Sequence, residues 1–468
     1  MKFATKYAVW ILFFAALGIR LWAITLDDVL SAWDEQYHAV VAKNLGVNPL
    51  RPLLLPTDPL PNPEAMWVAQ HVWLHKQPLF LWLMSGSLGL FGLKVWAVRL
   101  PSVLLGALLS VLVYKTGKNL GRPRTGWMAG ILVAISAFGL LLTNGKYPTD
   151  HNDIAFAFFI TAGIWAWSRY TKNPSWRNIV LLGAATGCAV LTKWLLGFWL
   201  LGLFGLYGLW KKELGEILFW KKIAGVSLAA LLIFVPWNVY VFSAFPLEAA
   251  KEWAYNGAHF FHSLEGHTHS WYYHILQMES IFSPGAILLL LVGMGVSFAS
   301  RDKAWLSLAV AWLLLLVFFS LAATKMMSFM YMAVSPAALL IGRAFEKGWE
   351  MTASRRRGRW VLSVGMLLFF AMTARWWEVQ KTTQQENTFR TERKHFTRLF
   401  HRVGEETETG KWVFYNLPMH ALPLALFYTD GTAYARILTP EERAQCLRKG
   451  LVPIDVKETY GLSGSEDQ

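Results

Sequence analysis

Residues 7–38 read YAVWILFFAALGIRLWAITLDDVLSAWDEQYH, an apolar run that leads into four carboxylates. The first 18 of these residues form a helix long enough to cross most of the hydrocarbon core of a bilayer. No small-residue cleavage site follows them, so we expect a retained transmembrane helix and no removable signal peptide. Carboxylates beside a span are costly unless water solvates them or the protein uses them. The stretch therefore predicts a membrane protein with a polar centre near one surface.

Ten further apolar runs predict that the fold is an all-α integral membrane bundle of about eleven spans. Hydrophobic residues make up 55% of the 468 positions and charged residues only 16%, which excludes disordered and collagen-like chains. The two cysteines give no basis for a disulfide framework. The predicted spans are residues 7–24, 98–114, 125–143, 154–168, 178–193, 195–210, 223–244, 281–300, 304–323, 326–342 and 360–376.

Lys and Arg exceed Asp and Glu by 14, and their positions predict the orientation of the chain. Short cytoplasmic loops retain basic residues. If the N-terminus is cytoplasmic, the inside segments hold 21 Lys and Arg, whereas the outside loops before residue 375 hold eight. A crossing at the apolar stretch 78–92 would reverse this pattern, so we expect an interfacial helix there. The surplus is thus a topology signal and does not indicate a nucleic-acid partner.

This topology divides the chain into two predicted domains. Residues 1–376 form the transmembrane domain, which includes a long first extracytoplasmic loop at 25–98. Residues 377–468 form an extracytoplasmic C-terminal region, where a charged helical stretch and short apolar strands predict a small mixed α/β fold. Loops as long as 25–98 are usually functional.

Carboxylates concentrate in the outside loops. The first loop carries Asp34 and Glu35, and the second carries Asp150 and Asp153 just before an apolar run. Each of these acids has a structural alternative, because a carboxylate also caps a helix or stabilises its first turn. Their presence on the same predicted face of the membrane, from separate loops, favours a shared functional centre.

Single basic residues and histidines occur on the same predicted face. Lys193 and Lys325 each follow a threonine at the end of an apolar run. A lysine in such a place can also extend to the membrane interface without any other role. The loop 245–280 holds five histidines, and His259 and His262 are spaced as a metal pair would be. Without a tight cluster of further ligands, no metal site is predicted.

These residue types together point to group transfer from a lipid phosphate. A carboxylate near the membrane suits general-base activation of a hydroxyl, and lysines suit binding of a phosphate leaving group. A many-span body also offers grooves for a lipid chain. The sequence contains no Walker A motif or glycine-rich nucleotide fingerprint, which disfavours an ATP-driven pump.

Seven short motifs follow in order along residues 1–342. They are 33–38 (WDEQYH), 75–82 (HKQPLFLW), 97–102 (AVRLPS), Asp153 with Phe158 and Phe159, 191–193 (LTK), 271–273 (WYY), and 324–325 (TK) with Tyr331 and Pro336. In this order they resemble the GT-C superfamily of membrane glycosyltransferases that use polyprenyl-phosphate sugars. That superfamily includes protein O-mannosyltransferases and bacterial aminoarabinose transferases. The C-terminal region matches no motif of this superfamily.

The resemblance implies a GT-C helical bundle in the bacterial inner membrane and inverting transfer of a sugar to an acceptor hydroxyl. The donor is a polyprenyl-phosphate sugar, the general base is Asp34, and the donor phosphate lies between Lys76 and Lys325. No metal is required, although some members bind one. The resemblance implies catalytic roles for Asp34, Glu35 and Asp153, donor-phosphate binding by Lys76, Lys325, Lys193 and Arg99, and substrate binding by Tyr37, His38, His75, Asp150 and Tyr272.

Some alternatives stay open at this point. A transporter or flippase for a lipid-linked glycan would also need many spans and intramembrane charges, but it predicts charges along a route and repeated halves. A non-catalytic assembly subunit is a third class. Neither the sugar nor the acceptor, which can be a glycan, a lipid such as lipid A, or a protein, follows from the sequence. The chain has Gln77 before Pro78, where members of the superfamily commonly have two prolines.

Overall fold

The computed structural model describes residues 2–61, 67–147, 150–406 and 411–460. Its elements, numbered in chain order, are almost all helical. They are α1 (Lys2–Ile24), α2 (Asp34–Val47), α3 (Pro78–Phe91), α4 (Val95–Asn119), α5 (Pro123–Ile135), α6 (Ala137–Thr143), α7 (Asp150–Lys172), α8 (Trp176–Lys193), α9 (Trp199–Lys211), α10 (Ile217–Ala244), α11 (Pro246–Phe261), α12 (Tyr273–Ile281), α13 (Ala286–Ala299), α14 (Lys303–Leu321), α15 (Val334–Met351), α16 (Arg356–Ala374), α17 (Trp376–Gln384), α18 (Thr388–Glu406), β1 (Trp412–Tyr415), α19 (Leu422–Tyr428), β2 (Thr432–Ala433), α20 (Pro440–Arg448), β3 (Val452–Asp455) and α21 (Val456–Thr459).

The chain divides into two compact units, each built from separate stretches of sequence. The first unit consists of Met1–Leu26 and Ser102–Thr383. The second consists of Asp27–Pro101 and Gln384–Gln468. Most of the first extracytoplasmic loop and most of the C-terminal region, which we predicted to lie in different domains, therefore belong to the same unit.

The helices confirm a multi-pass membrane protein. Six helical segments within the described residues are long and apolar enough to cross a bilayer, and two bent helix pairs raise that number to eight. The bent pairs are α5 with α6, at 49°, and α12 with α13, at 100°. The count of eleven spans stays a prediction.

The apolar stretch Trp176–Lys211 is 36 residues long, and the chain reverses direction within it. A straight helix of that length would extend about 54 Å, far beyond a hydrocarbon core of about 30 Å. A 3₁₀ turn at Trp194–Phe198 separates α8 from α9, and Trp194 has a positive φ of 55°. Asp153, near the start of α7, pairs with Lys193 at the end of α8, so these helices are antiparallel.

The direction of α9 follows from its contacts with α7. Gly163 packs against Leu200, and the ring of Trp167 contacts the edge of Tyr207. Both contacts advance in the same order along the two helices, so α9 is parallel to α7 and therefore antiparallel to α8. This is the hairpin predicted from the spans 178–193 and 195–210.

Glycines allow the closest helix packing in the first unit. A Cβ added to Gly183 would lie 2.5 Å from the Val226 carbonyl oxygen, and one added to Gly187 would lie 2.8 Å from that of Ala230. Four residues further along α8, the contact also lies four residues further along α10, so the two helices run parallel. In a bilayer such close backbone contact replaces the hydrophobic driving force that helix pairs have in water.

The second unit contains α2, α3, the first residues of α4, and everything from Gln384 onward. Its three strands form a parallel sheet in the order β2-β1-β3, with helices as the crossover connections. Val413, Tyr415 and Cys446 form its small core with Leu60 from the first loop. Residues 62–66 of the first extracytoplasmic loop lie outside the described residues.

The helix α3 corresponds to the apolar stretch that we predicted to be interfacial. It has 14 residues and therefore extends about 21 Å, which is too short to cross a typical hydrocarbon core. Its length supports the predicted orientation, since no span is added before the basic loops.

Candidate active site

Asp34 is the first residue of α2 and keeps a partly exposed carboxylate. Its Oδ1 lies 3.5 Å from the Lys76 Nζ and 3.7 Å from the His38 Nε2. The side chains of Asp34 and Lys76 are 15% and 13% exposed, whereas His38 is buried. Because Trp33 occupies the N-cap position, Asp34 is a first-turn acid and does not cap the helix. An acid in the first turn is favourably placed at the positive end of the helix dipole.

Glu35 has a different environment from its neighbour. It is fully buried, and its two oxygens accept hydrogen bonds from the Arg99 guanidinium at 2.6 and 3.0 Å. The backbone N–H of Ser31 donates to the Glu35 Oε2 at 2.5 Å. Arg99 is also fully buried and donates to the carbonyl oxygens of Asp27 and Val29. Each guanidinium nitrogen of Arg99 therefore already has a protein acceptor.

Aromatic side chains surround this part of α2. The His75 ring stacks on Trp67 with centroids 4.7 Å apart, and Trp67 meets the edge of Tyr37 at 5.0 Å. The His38 ring contacts the edge of Trp73. The Tyr37 side chain is buried, and burial raises the pKa of its hydroxyl well above the usual range. Tyr37 and His75, which we predicted to bind substrate, thus belong to one aromatic cluster through Trp67, and His38 lies beside Asp34.

The first unit contains the second predicted acid. Asp153, near the start of α7, is almost fully buried and forms an ion pair with Lys193. The Lys193 Nζ also lies 5.0 Å above the ring of Phe329, a cation–π contact. A buried acid and base of this kind stabilise each other, because neither is tolerated alone within a membrane. Asp150 begins α7, and its side chain lies outside the described residues.

Lys325 lies in the segment between α14 and α15. Its side chain is buried, and its Nζ donates to the Ala322 carbonyl oxygen at 2.6 Å. The backbone N–H groups of Thr324 and Lys325 donate to the carbonyl oxygens of His259 and His267. The histidine-containing loop and the segment with Lys325 therefore form one hydrogen-bonded structure.

Tyr272 lies directly before α12 and is largely exposed, next to Trp271. Its neighbour His274 is fully buried among Phe319 and Phe329. Within the described residues, neither ring nitrogen of His274 has a hydrogen-bond partner. The described part of the chain also contains no group of three His, Cys, Asp or Glu side chains arranged to hold a metal ion.

The structure thus collects Asp34, Lys76, His38, Tyr37 and His75 in the second unit, and pairs Asp153 with Lys193 in the first. Sequence reasoning missed the two buried arginines of α18 and the hydrogen bond between the Ser102 Oγ and the His151 Nδ1 at 2.7 Å. The arginine signal was present in the sequence: Arg390 and Arg393 repeat at helical spacing with Phe396 and Phe400, so they lie on the buried face of an amphipathic helix.

Comparison with known proteins gives matches in both sequence and fold. Residues 75–240 match the family profile described as dolichyl-phosphate-mannose-protein mannosyltransferase. A protein of Pseudomonas aeruginosa (strain UCBPP-PA14), named undecaprenyl phosphate-alpha-4-amino-4-deoxy-L-arabinose arabinosyl transferase, is 28% identical over 343 residues. These residues are 69% of this chain and 60% of that protein, so the chain spans about three fifths of the length of this relative.

Solved structures with the same fold support this result. The crystal structure of ArnT from Cupriavidus metallidurans bound to undecaprenyl phosphate has a TM-score of 0.66 at 16% identity, over 97% of this chain and 90% of that one. The archaeal oligosaccharyltransferase AglB from Archaeoglobus fulgidus has a TM-score of 0.60 at 12% identity, over 92% and 65%. The chain is a relative of the polyprenyl-phosphate-sugar glycosyltransferases. The resemblance predicted from the ordered motifs is thereby confirmed.

The sequence match and the fold match cover different parts of the chain. The family profile begins at His75 and ends within α10, so it includes Lys76, Arg99, Asp153 and Lys193. The fold matches extend over nearly the whole chain, including the C-terminal region that carried no recognisable motif. The fold shared with that structure therefore extends into the C-terminal region.

Proposed function

We propose that this glycosyltransferase relative transfers a sugar from a polyprenyl-phosphate donor to an acceptor hydroxyl on the extracytoplasmic side of the membrane. The observation that carries the proposal is the contrast between two adjacent acids. Asp34 is partly exposed and lies beside Lys76, whereas Glu35 is buried and bound by Arg99. A reactive carboxylate must be accessible to the substrate. Of the two acids, only Asp34 has a partly exposed side chain. The donor class is that named for the aminoarabinose transferases.

The reaction is a direct displacement at the anomeric carbon. The acceptor oxygen attacks that carbon while its proton moves to the Asp34 carboxylate. The bond between the anomeric carbon and the phosphate oxygen breaks, and polyprenyl phosphate leaves with the bonding electron pair. One displacement inverts the anomeric configuration, so an α-linked donor, such as the one named for the aminoarabinose transferases, gives a β-linked product, and a β-linked donor gives an α-linked one.

Lys76 stabilises the leaving group in this scheme. Its Nζ lies near Asp34 and keeps a small exposed surface, so an incoming phosphate can accept a hydrogen bond from it. The negative charge on the phosphate increases as the bond breaks. A lysine that is already in place lowers the energy of this transition state. No metal is needed for this step.

In the first unit, we assign Lys325 to the donor phosphate and the pair of Asp153 with Lys193 to organisation of the site. The Lys325 ammonium uses one hydrogen bond on the Ala322 carbonyl and has three N–H donors in total. The Asp153–Lys193 pair is nearly neutral as a whole, which suits a supporting role. The roles of Lys325 and Asp153 are those that the motif resemblance implies, whereas Lys193, which we predicted to bind the donor phosphate, is assigned here to the pair with Asp153.

The test is a transfer assay with purified protein, radiolabelled polyprenyl-phosphate sugars and separate lipid A, glycan and protein acceptors. We expect Asp34→Asn to lower kcat by about 10²–10⁴-fold, because removal of a general base has that effect. The matched control is Asp28→Asn, which alters an exposed carboxylate in the same loop. Equal kcat for Asp34→Asn and wild type, at equal folded yield, would exclude Asp34 as the base.

Lys76→Ala provides a second prediction, which concerns the donor. We expect a roughly tenfold or larger rise in KM for the lipid donor, because a charge-assisted hydrogen bond contributes about 1.5–3 kcal/mol. Lys76→Arg should recover part of the loss, since the charge is retained. Donor titrations at saturating acceptor measure both variants, and an unchanged KM would remove the phosphate role of Lys76.

A further inference from the structure

The chain immediately before Asp34 is held by two arginines from the C-terminal region. The Arg390 Nη2 donates to the Asp27 Oδ1 at 3.0 Å, and the Arg393 Nη1 donates to the Leu30 carbonyl oxygen at 2.8 Å. Both arginines lie on α18 and are more than 90% buried. Buried guanidinium groups are retained where their hydrogen bonds are well formed.

Arg99 binds the same segment through other atoms. Its guanidinium donates to the Asp27 carbonyl oxygen at 2.6 Å and to the Val29 carbonyl oxygen at 3.0 Å. It also binds Glu35, which in turn accepts from the Ser31 backbone. Three arginines therefore hold residues 27–31, through the Asp27 carboxylate and the carbonyl oxygens of Asp27, Val29 and Leu30, and two of the three arginines come from α18.

The backbone next to Asp34 needs such support. Trp33 has a φ of +67° and a ψ of −118°, in a region that bulky side chains rarely adopt. Backbone strain of this kind costs about 1–3 kcal/mol and persists only where the surroundings over-determine the conformation. The Trp33 side chain is 48% exposed, so its own packing supplies little of that restraint.

The other end of α2 is also attached to the C-terminal region. The Lys43 Nζ donates to the carbonyl oxygens of Leu426 and Thr429 at 3.1 and 2.5 Å, at the end of α19. It also forms an ion pair with Asp430 at 3.2 Å. Burial lowers the pKa of Lys43, while Asp430 opposes that shift.

From these contacts we propose that the C-terminal region is a positioning device for the general base. Arg390 and Arg393 are positioning residues: they hold residues 27–31 so that Trp33 keeps its strained conformation and Asp34 keeps its direction. Lys43 provides the second attachment of α2. This inference rests on the proposed function only for the identity of Asp34 as the base. The restraint on residues 27–47 is a property of the protein with or without substrate.

The experiment combines kinetics with hydrogen exchange on the full-length protein. We expect Arg390→Ala and Arg393→Ala to lower kcat at least tenfold with donor KM within about twofold, because small misplacement of a reacting group is enough to slow the reaction. Amide exchange in residues 27–47 should rise in both variants. Arg398→Ala, on the exposed face of α18, is the matched control and should match wild type in both measurements.

Two further variants distinguish a positioning effect from misfolding of the alanine variants. Arg390→Lys keeps the charge and should recover part of kcat, and Asp27→Asn removes the same ion pair from its other side. If Arg390 acts through Asp27, the effects of Arg390→Ala and Asp27→Asn on exchange will be clearly non-additive. Wild-type kcat and wild-type exchange in folded Arg390→Ala and Arg393→Ala would overturn the proposal. Should the wild-type protein transfer no sugar, the exchange measurements alone decide the positioning role.

Discussion

At the scale of single residues, two neighbouring carboxylates have different surroundings. Sequence reasoning assigned catalytic roles to both Asp34 and Glu35. Consecutive side chains on a helix point about 100° apart, so two neighbouring acids can have different surroundings. Glu35 is bound by Arg99, which lies 64 residues further along the chain. Nothing in the local pattern could show which acid Arg99 would bind.

This environment predicts that Glu35→Gln mainly affects stability. The change leaves the buried Arg99 cation without its carboxylate, and breaking such a pair costs about 3–5 kcal/mol. Thermal unfolding in detergent should therefore shift to lower temperature, unlike that of Asp34→Asn. Glu378→Gln, which breaks the more exposed pair with Arg375, is the control and should cost about 0–1 kcal/mol. A stable but inactive Glu35→Gln protein would instead support a catalytic Glu35.

At the scale of elements, glycine positions determine how closely α8 and α10 approach. Gly183→Ala would place its Cβ 2.5 Å from the Val226 carbonyl oxygen, so the helices must separate. Overpacking of this kind costs about 1–3 kcal/mol. We expect a lower unfolding temperature in detergent, measured by a thermal aggregation assay. Gly202→Ala, where nothing lies within 4 Å, is the matched control and should unfold at the wild-type temperature or slightly above.

The same scale shows which elements sequence patterns can predict. The apolar runs predicted most helices of the first unit and the short helix α3, because run length is a local property. The reversal between α8 and α9 agrees with the two separate spans predicted at 178–193 and 195–210, the first of which ends at Lys193. The sheet order β2-β1-β3 was not predicted, because three strands of two to four residues carry little periodicity and their pairing is not local.

At the scale of the whole molecule, the charge distribution predicts the orientation. The predicted cytoplasmic segments carry a net charge of about +16, and the rest of the chain is close to neutral. A reporter that works only outside the cytoplasm, fused after Gln468, should be active. The same reporter fused after Gly358, in the most basic segment, should be inactive. A cytoplasmic signal after Gln468 would contradict an odd number of spans.

Properties that depend on neighbours along the chain follow from the amino-acid sequence alone: the membrane class, most helices, the predicted basic face and the motifs with Asp34 and Lys76. Folding decided the rest, because it brings together groups that are far apart in sequence. Arg390 meets Asp27 across 363 positions, and Glu35 meets Arg99 across 64. Such pairs form because folding brings the two residues close together in the interior. The sequence around either residue does not reveal its partner. The distinction between an accessible acid and a buried one therefore belongs to the tertiary structure.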